Sequence, residues 1–237
     1  MTILKQQTDH IAMPTKAVIF DMDGLLLDTE KVCLEGYLYA RRHFSLPENR
    51  ETFFKCVGRR ADASNQIIRD SLDHSIEFNA FNTVWRNQIA ELLADEVPLK
   101  GGALRLVEIL ATKNIPMGVA TSTQTQQARG HLERVGLLRH LICVVGGDLV
   151  EKPKPNPEVY LKVAQQLGVA ADNCVAFEDS ETGTRAAIAS GAQTVQIPDL
   201  VQPSESFAKH GQIIATTLLE GAIAIGLISR TDVKETV

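Results

Sequence analysis

The sequence predicts an α/β fold in which a mostly parallel sheet is interrupted, after its first strand, by an all-helical unit. Three observations predict it. Short apolar runs of strand length alternate with helical patterns along most of the chain, which is the signature of βαβ units. The interval 28–97 breaks that alternation and shows helices only. The 237 residues exceed by about half the ~150 used as a prior for one domain, which suits one domain with a large insertion or two small domains.

Each element has its own warrant. Residues 1–13 read as a loose leader, beginning Met1-Thr2-Ile3-Leu4-Lys5, continuing polar through His10 and without the apolar segment of a secretory signal. Ala17-Val18-Ile19-Phe20 is too continuously apolar for a half-exposed strand and suits a buried parallel one. The same form recurs at 117–120, 141–145, 174–177, 194–197 and, more weakly, 213–215. Between these runs, residues 103–113 carry an apolar stripe, 125–136 and 157–168 end on Gly136 and Gly168, and 181–190 ends before Gly191. Pro157 opens its helix at a first-turn position.

Inside 28–97 the pattern gives helices over roughly 30–44, 48–56, 62–72 and 76–94. This interval holds the only tryptophan, Trp85, and Phe44, Phe53, Phe54, Phe78 and Phe81. That is enough aromatic material for a small core of its own. Pro98-Leu99-Lys100-Gly101-Gly102 reads as the return linker. The expected division is 14–27 and 98–237 for the sheet-bearing core and 28–97 for the helical unit. A strand and a helix within 201–237 are expected to complete the core.

Composition narrows the function. Hydrophobic residues make up 44% and charged residues 22%, a globular balance. A net charge of −5 makes a general nucleic-acid or anionic-membrane binder a poor reading, because those partners are themselves negative. No apolar run approaches the ~18 residues needed to cross a bilayer. Cys33, Cys56, Cys143 and Cys174 are too scattered for a zinc site and suit reduced, mostly buried thiols in the cytoplasm. None of the six histidines sits in a motif, and they are assigned to surface or core.

Four strand ends carry chemistry. The first gives Asp21-Met22-Asp23-Gly24, the second Thr121-Ser122-Thr123, the third a loop with Lys152 and Lys154, and the fourth Glu178-Asp179-Ser180. Ligands of open parallel sheets sit beyond the carboxyl ends of the strands, so these groups converge on one edge. Asp21 and Asp23, two apart, can face one site. With Asp179 and Glu178 beside them the carboxylates repel and raise one another's pKa. A hard divalent cation with oxygen ligands, Mg²⁺ above all, removes that conflict. Taken singly, Asp179 or Ser180 would do as a helix cap and Asp23-Gly24 as a turn.

The run from Asp21 to Glu30, DMDGLLLDTE, resembles the first motif of the haloacid dehalogenase-like superfamily. Thr121, Lys154 and Glu178-Asp179 fall where its second, third and fourth motifs belong. The resemblance implies a Rossmann-like core with a helical cap. It is nearest in style to cap-bearing sugar-phosphate and nucleoside-phosphate phosphatases and to β-phosphoglucomutases. It implies Asp21 as a nucleophile forming an aspartyl-phosphate and Asp23 as general acid, then base. Thr121 and the amide of Ser122, at a helix N-terminus, would hold a phosphoryl oxygen. Metal ligands would be Asp21, Asp179, the Asp23 main-chain carbonyl, and Glu178 directly or through water. The K-P-x-P pattern occurs twice in overlap, and Lys154 fits better than Lys152 because Glu158 and Tyr160 follow it.

The resemblance also sets subclass and specificity. An acid at Asp23 matches the phosphoryl-transfer members rather than the dehalogenases. The mutases usually carry a histidine where Cys33 stands, and a small residue where Glu30 stands. The phosphatase reading therefore leads, with a mutase-like enzyme as the alternative and a non-catalytic binding protein on the same scaffold as the second. Arg59, Arg60 and Glu30 are the candidates for reading a small phosphorylated metabolite, while Tyr37 reads as core. The expected protein is cytoplasmic, and a monomer or weak dimer.

Overall fold

The computed structural model describes residues 15–57 and 61–234. The expected leader therefore lies outside the described residues, as do Gly58, Arg59 and Arg60.

Six strands form one parallel sheet. They are β1 (Ala17–Phe20), β2 (Met117–Ala120), β3 (Cys143–Val145), β4 (Cys174–Glu178), β5 (Gln193–Gln196) and β6 (Ile213–Ile214). Their order is β3-β2-β1-β4-β5-β6, and every neighbouring pair is parallel. The chain winds outward from β1 in both directions, so the fold is Rossmann-like, with its switch point between β1 and β4.

Both faces of the sheet are covered, and β1 shows why its run is apolar throughout. Val18 and Phe20 enter one core, while Ala17 and Ile19 enter the other. The first core includes α5 (Ala103–Thr112) and α6 (Thr125–Arg134), and the second α7 (Glu158–Gln166) and α8 (Glu181–Ala189). The tail supplies β6, α9 (Leu218–Ala224) and α10 (Arg230–Lys234), with Leu218, Ala222 and Ile228 buried in the first core. The expected third strand starts two residues late: Leu141 and Ile142 precede the sheet, and Ile142 stays 60% exposed.

Between β1 and α5 come α1 (Thr29–His43), α2 (Arg50–Phe54), α3 (Ala61–Asp70) and α4 (Phe78–Asp95). They pack around Tyr37, whose ring meets Phe53, Phe81 and Trp85 at 5.4–5.8 Å between centroids. Gly36 lets α1 and α4 approach, since a Cβ there would lie 2.8 Å from Ile89. The two passes between this insertion and the sheet run side by side. Asp28 N donates to Pro98 O, and Lys100 N donates to Leu26 O, both at 2.9 Å. Lys100 then pairs with Asp28 at 3.1 Å and Asp199 at 2.5 Å. Leu200, on the loop after β5, packs into the aromatic cluster of the insertion. No described helix is long and apolar enough to cross a membrane.

Candidate active site

The carboxyl ends of β1 and β4 sit side by side, with Phe20 paired to Phe177 and Asp21 N donating to Phe177 O at 3.0 Å. That register places Asp21 next to Glu178 and Asp179. Donor oxygens of all three carboxylates lie within 4.8 Å of one another, and all three residues are buried.

Lys154 sits among them. Its Nζ donates to Asp21 Oδ1 at 2.5 Å, Glu178 Oε1 at 2.7 Å and Ala120 O at 3.1 Å. All three ammonium protons are thereby used. Lys152 remains exposed, so of the two overlapping K-P-x-P lysines it is Lys154 that the fold brings to Asp21. Burial pulls the Lys154 ammonium down, but Asp21 and Glu178 outweigh it and hold the group above its usual range.

The carboxylates divide by their partners. Burial pushes the Asp21 carboxyl up; Lys154 opposes this, but Glu178 and Asp23 add to it, and it lies well above the usual range. Asp179 is raised by burial, then by Glu178 and Asp21. Burial would also raise Glu178, but Lys154 and other donors outweigh it and hold it low. Those donors saturate the side chain. Oε1 also accepts Tyr160 OH at 2.8 Å, and Oε2 accepts the amides of Asp179 and Ser180 and the Ser180 hydroxyl at 3.0–3.1 Å. Glu178 is thus a fixed anion that orients Lys154 and closes the β4–α8 turn. Gly183 makes room for it, since a Cβ there would lie 1.7 Å from Oε1.

Asp23 turns the other way. Its Oδ1 accepts Thr29 Oγ1 at 2.9 Å, and its Oδ2 accepts Thr123 Oγ1 at 2.7 Å and Thr121 Oγ1 at 3.3 Å. Ser122 follows in the same turn and is exposed. One expectation is corrected here. Ser122 is not at a helix N-terminus, because α6 begins at Thr125 and the first-turn amide of Thr125 is taken by Asp148 Oδ1 at 2.7 Å. Any anion held by residues 121–124 is held by a loop rather than by a helix end.

The site fits a hard cation. Three buried carboxylates face one lysine, every donor is oxygen, and no described hydrogen-bond donor reaches the Asp179 carboxylate. Gly24 guards that carboxylate. Its φ is +85°, and a Cβ would sit 2.3 Å from Asp179 Oδ2. Gly24→Ala should therefore cost ~1–2 kcal/mol from backbone strain alone and weaken metal binding by displacing Asp179. Chemical denaturation and calorimetric Mg²⁺ titration would measure both, and unchanged values in the two would contradict this reading.

Sequence reasoning missed Gly183, and it quoted Thr29 and Thr123 within motifs without giving either a role. It used Tyr160 only to choose between two lysines, although its hydroxyl completes the Glu178 shell. Glu30 is where an insertion residue meets the site. Its Oε2 is buried without a partner among the described residues, and burial, aided by Asp199, raises the carboxyl to about 7.

A family profile described as haloacid dehalogenase-like hydrolase matches residues 18–197. The chain belongs to that family. Among its curated relatives, a phosphorylated carbohydrates phosphatase from Thermotoga maritima is 29% identical over 180 residues, covering 76% of this chain and 83% of its own. (DL)-glycerol-3-phosphatase 2 of Arabidopsis thaliana is 34% identical over 193 residues, covering 77% and 79%. Among solved structures, a family hydrolase from Deinococcus radiodurans R1 with bound phosphate and sodium superposes with a TM-score of 0.76. It is 23% identical, covers 90% of this chain and 96% of its own, and speaks to the fold alone.

Proposed function

We propose that the protein is a Mg²⁺-dependent phosphatase of small phosphomonoesters, sugar phosphates or nucleoside monophosphates, acting through an aspartyl-phosphate on Asp21. The observation that carries this is Asp21 itself. It is a buried carboxylate at a strand end, oriented by Lys154, with the second acid Asp23 two residues on and braced by three threonine hydroxyls.

The steps follow from those positions. The Asp21 carboxylate attacks phosphorus, and the bond from phosphorus to the ester oxygen breaks. Asp23 gives its proton to the departing alkoxide. Asp23 then takes a proton from water as that water attacks the aspartyl-phosphate, freeing Asp21 and inorganic phosphate. Thr121 and Ser122 hold the phosphoryl oxygens, and Lys154 joins them by turning one proton from Asp21 to the phosphoryl group as Asp21 attacks. Asp21, Asp179 and the Asp23 carbonyl would hold Mg²⁺, with Glu178 behind them; the ion supplies charge neutralisation at the phosphoryl group.

The leaving group has room. A cleft of about 780 Å³ opens between insertion and core, with Asp179 and Ser180 on one side, Phe54 and Val57 on the other and Leu200 at the edge. That volume is in the range of small-molecule sites. We assign the insertion, 28–97, as the cap that closes it, with Glu30, Arg59 and Arg60 as the residues that read the leaving group. The mutase alternative gains no support at Cys33. That thiol is pushed up to about 12 by burial, then by Asp23 and Glu30, and offers no proton relay near neutral pH. Free cysteines support a cytoplasmic protein, and a net charge of −5 supports one working on a metabolite rather than on nucleic acid or membrane.

The test is release of inorganic phosphate from a panel of sugar phosphates and nucleoside monophosphates, with Mg²⁺ and with chelator. Mg²⁺-dependent release supports the reading. No release, together with conversion of β-glucose 1-phosphate to the 6-phosphate in the presence of a bisphosphate primer, would replace it with the mutase.

Metal removal has a signed consequence. Without Mg²⁺ the folded pKa values of Asp21 and Asp179 lie above their unfolded values. The folded state then holds protons that the unfolded state releases, so stability falls as pH rises from the unfolded pKa through the folded one. Mg²⁺ should remove that fall. At a hundredfold excess over Kd it adds ~2.7 kcal/mol, roughly 5–10 °C in Tm at ~2–4 °C per kcal/mol. Thermal melts from pH 5 to 8 with and without Mg²⁺ measure the difference, and parallel curves would contradict it.

A further inference from the structure

A second cavity lies at the seam between insertion and core, where α4 crosses α6. Its volume is about 530 Å³, and it shares no lining residue with the carboxylate cluster or the cleft above. Arg134 braces the seam, donating to Leu93 O at 2.5 Å and Ala94 O at 2.8 Å.

The walls differ in chemistry. Trp85, Ile89 and Leu93 form an apolar side, and the Trp85 indole N–H is already spent on Cys33 O at 2.9 Å. Arg86 and Arg134 carry the charge of the rest, beside His131 and the neutral polar side chains of Ser64, Asn65, Asn82 and Gln127. Among the described residues no carboxylate lines the cavity, in a chain where 29 acids outnumber 24 basic residues. Arg86 has only Asn82 Oδ1, at 3.3 Å, as a hydrogen-bond partner among the described residues. The His131 Nδ1 is buried and has none. Burial, then Arg134, hold this imidazole below its usual pKa against the pull of Asp23, so it stands neutral, with one ring nitrogen lacking a partner. Being buried, that nitrogen does not open on the cavity; the group left free to meet a ligand is the Arg86 guanidinium, with its single long hydrogen bond.

We propose that this cavity binds a small anion with an aromatic or branched apolar body, and that its occupancy controls the movement of the helical insertion on the core. The anionic group meets Arg86, and the apolar body lies against Trp85, Ile89 and Leu93. Because α4 and α6 belong to the two sides of the seam, a ligand between them favours one separation over others, and an equilibrium shifts only by such a differential.

Trp85 is the chain's only tryptophan, so its fluorescence reports the cavity directly in the unmodified protein. The probe is phenylacetate, with the uncharged phenylacetamide as control. The expected result is a saturable change in Trp85 emission for phenylacetate, at least tenfold tighter than for the amide. Ala90 lines the cavity, and both Ala90 and Arg86 are exposed on α4. Ala90→Leu should abolish the response by filling the space, and Arg86→Gln should weaken it about tenfold. Equal response to the amide, or an undiminished response in Ala90→Leu, overturns the site. Saturating phenylacetate should also change the phosphatase kcat at least twofold in the wild type and not in Ala90→Leu; an unchanged wild-type kcat overturns the control of movement. The fluorescence arm is read without turnover, so failure of the phosphatase reading and failure of this site are separable.

Discussion

Asp21→Asn is expected to abolish phosphate release, lowering kcat on the order of 10⁴-fold or more, the scale on which loss of a nucleophile is felt when the rest of a site stays intact. The amide has the shape of the carboxylate but cannot form the acyl-phosphate. It should not unfold the protein. Asn keeps an oxygen for Lys154, whose other acceptors, Glu178 Oε1 and Ala120 O, remain. It also removes one of three crowded negative charges whose burial is unfavourable without a cation. The metal-free variant should therefore melt no lower than the metal-free wild type, while its Mg²⁺ affinity falls. Rapid-quench single turnovers should show no covalent phosphate on the protein. Activity within tenfold of wild type would move the nucleophile elsewhere and end the assignment of Asp21. Loss of activity together with loss of folding would instead mark Asp21 as structural.

The edge that carries these groups was legible because Asp21, Thr121 and Asp179 each sit directly after a buried strand, with Lys154 on the loop beyond a third. The apolar run Ala17–Phe20 sets where β1 stops, and parallel pairing with β4 then fixes which acid comes beside which. What was not legible is how the side chains share partners. Lys154 and Asp21 are 133 residues apart, and Thr123 and Asp23 are 100 apart. Such pairs have no local signature. Glu178 shows the limit most clearly. From spacing it is one more acid at a strand end, free for a metal, whereas the fold surrounds it with five hydrogen bonds and leaves Asp179 as the open carboxylate. Ser122 shows a smaller one. A Thr-Ser-Thr run before a helical pattern puts Ser122 at the helix start, yet residues 121–124 are the loop between β2 and α6, and Asp148, from beyond β3, takes the Thr125 amide instead.

Lys154→Met carries the second large effect, and it acts on stability and rate together. Lys154 is 7% exposed, and its two carboxylate partners are 8% and 1% exposed. Removing one member of so buried a group leaves the others unpaired, at a cost of ~3–5 kcal/mol. The rate should fall by ~10²–10³-fold as well, the effect of losing one preorganised charge or donor at a developing phosphoryl charge. Lysine-to-arginine exchange should not rescue it. A planar guanidinium cannot direct donors to Asp21, Glu178 and Ala120 O from the position of one ammonium nitrogen. The pH dependence separates this from general damage. In the wild type Glu178 lies below its unfolded pKa because Lys154 and its other donors outweigh burial. It therefore contributes stability that is present above the unfolded pKa and is lost as pH falls through the folded one. Without the lysine, burial dominates, the folded pKa rises above the unfolded value, and the sign reverses: the variant should lose stability as pH rises. Urea denaturation between pH 4 and 8, with Mg²⁺ held saturating, compares the two slopes. A variant with the wild-type slope and only a uniform loss would show that Lys154 fills space beside Glu178 without setting its charge, and the electrostatic account of Asp21 would fail with it.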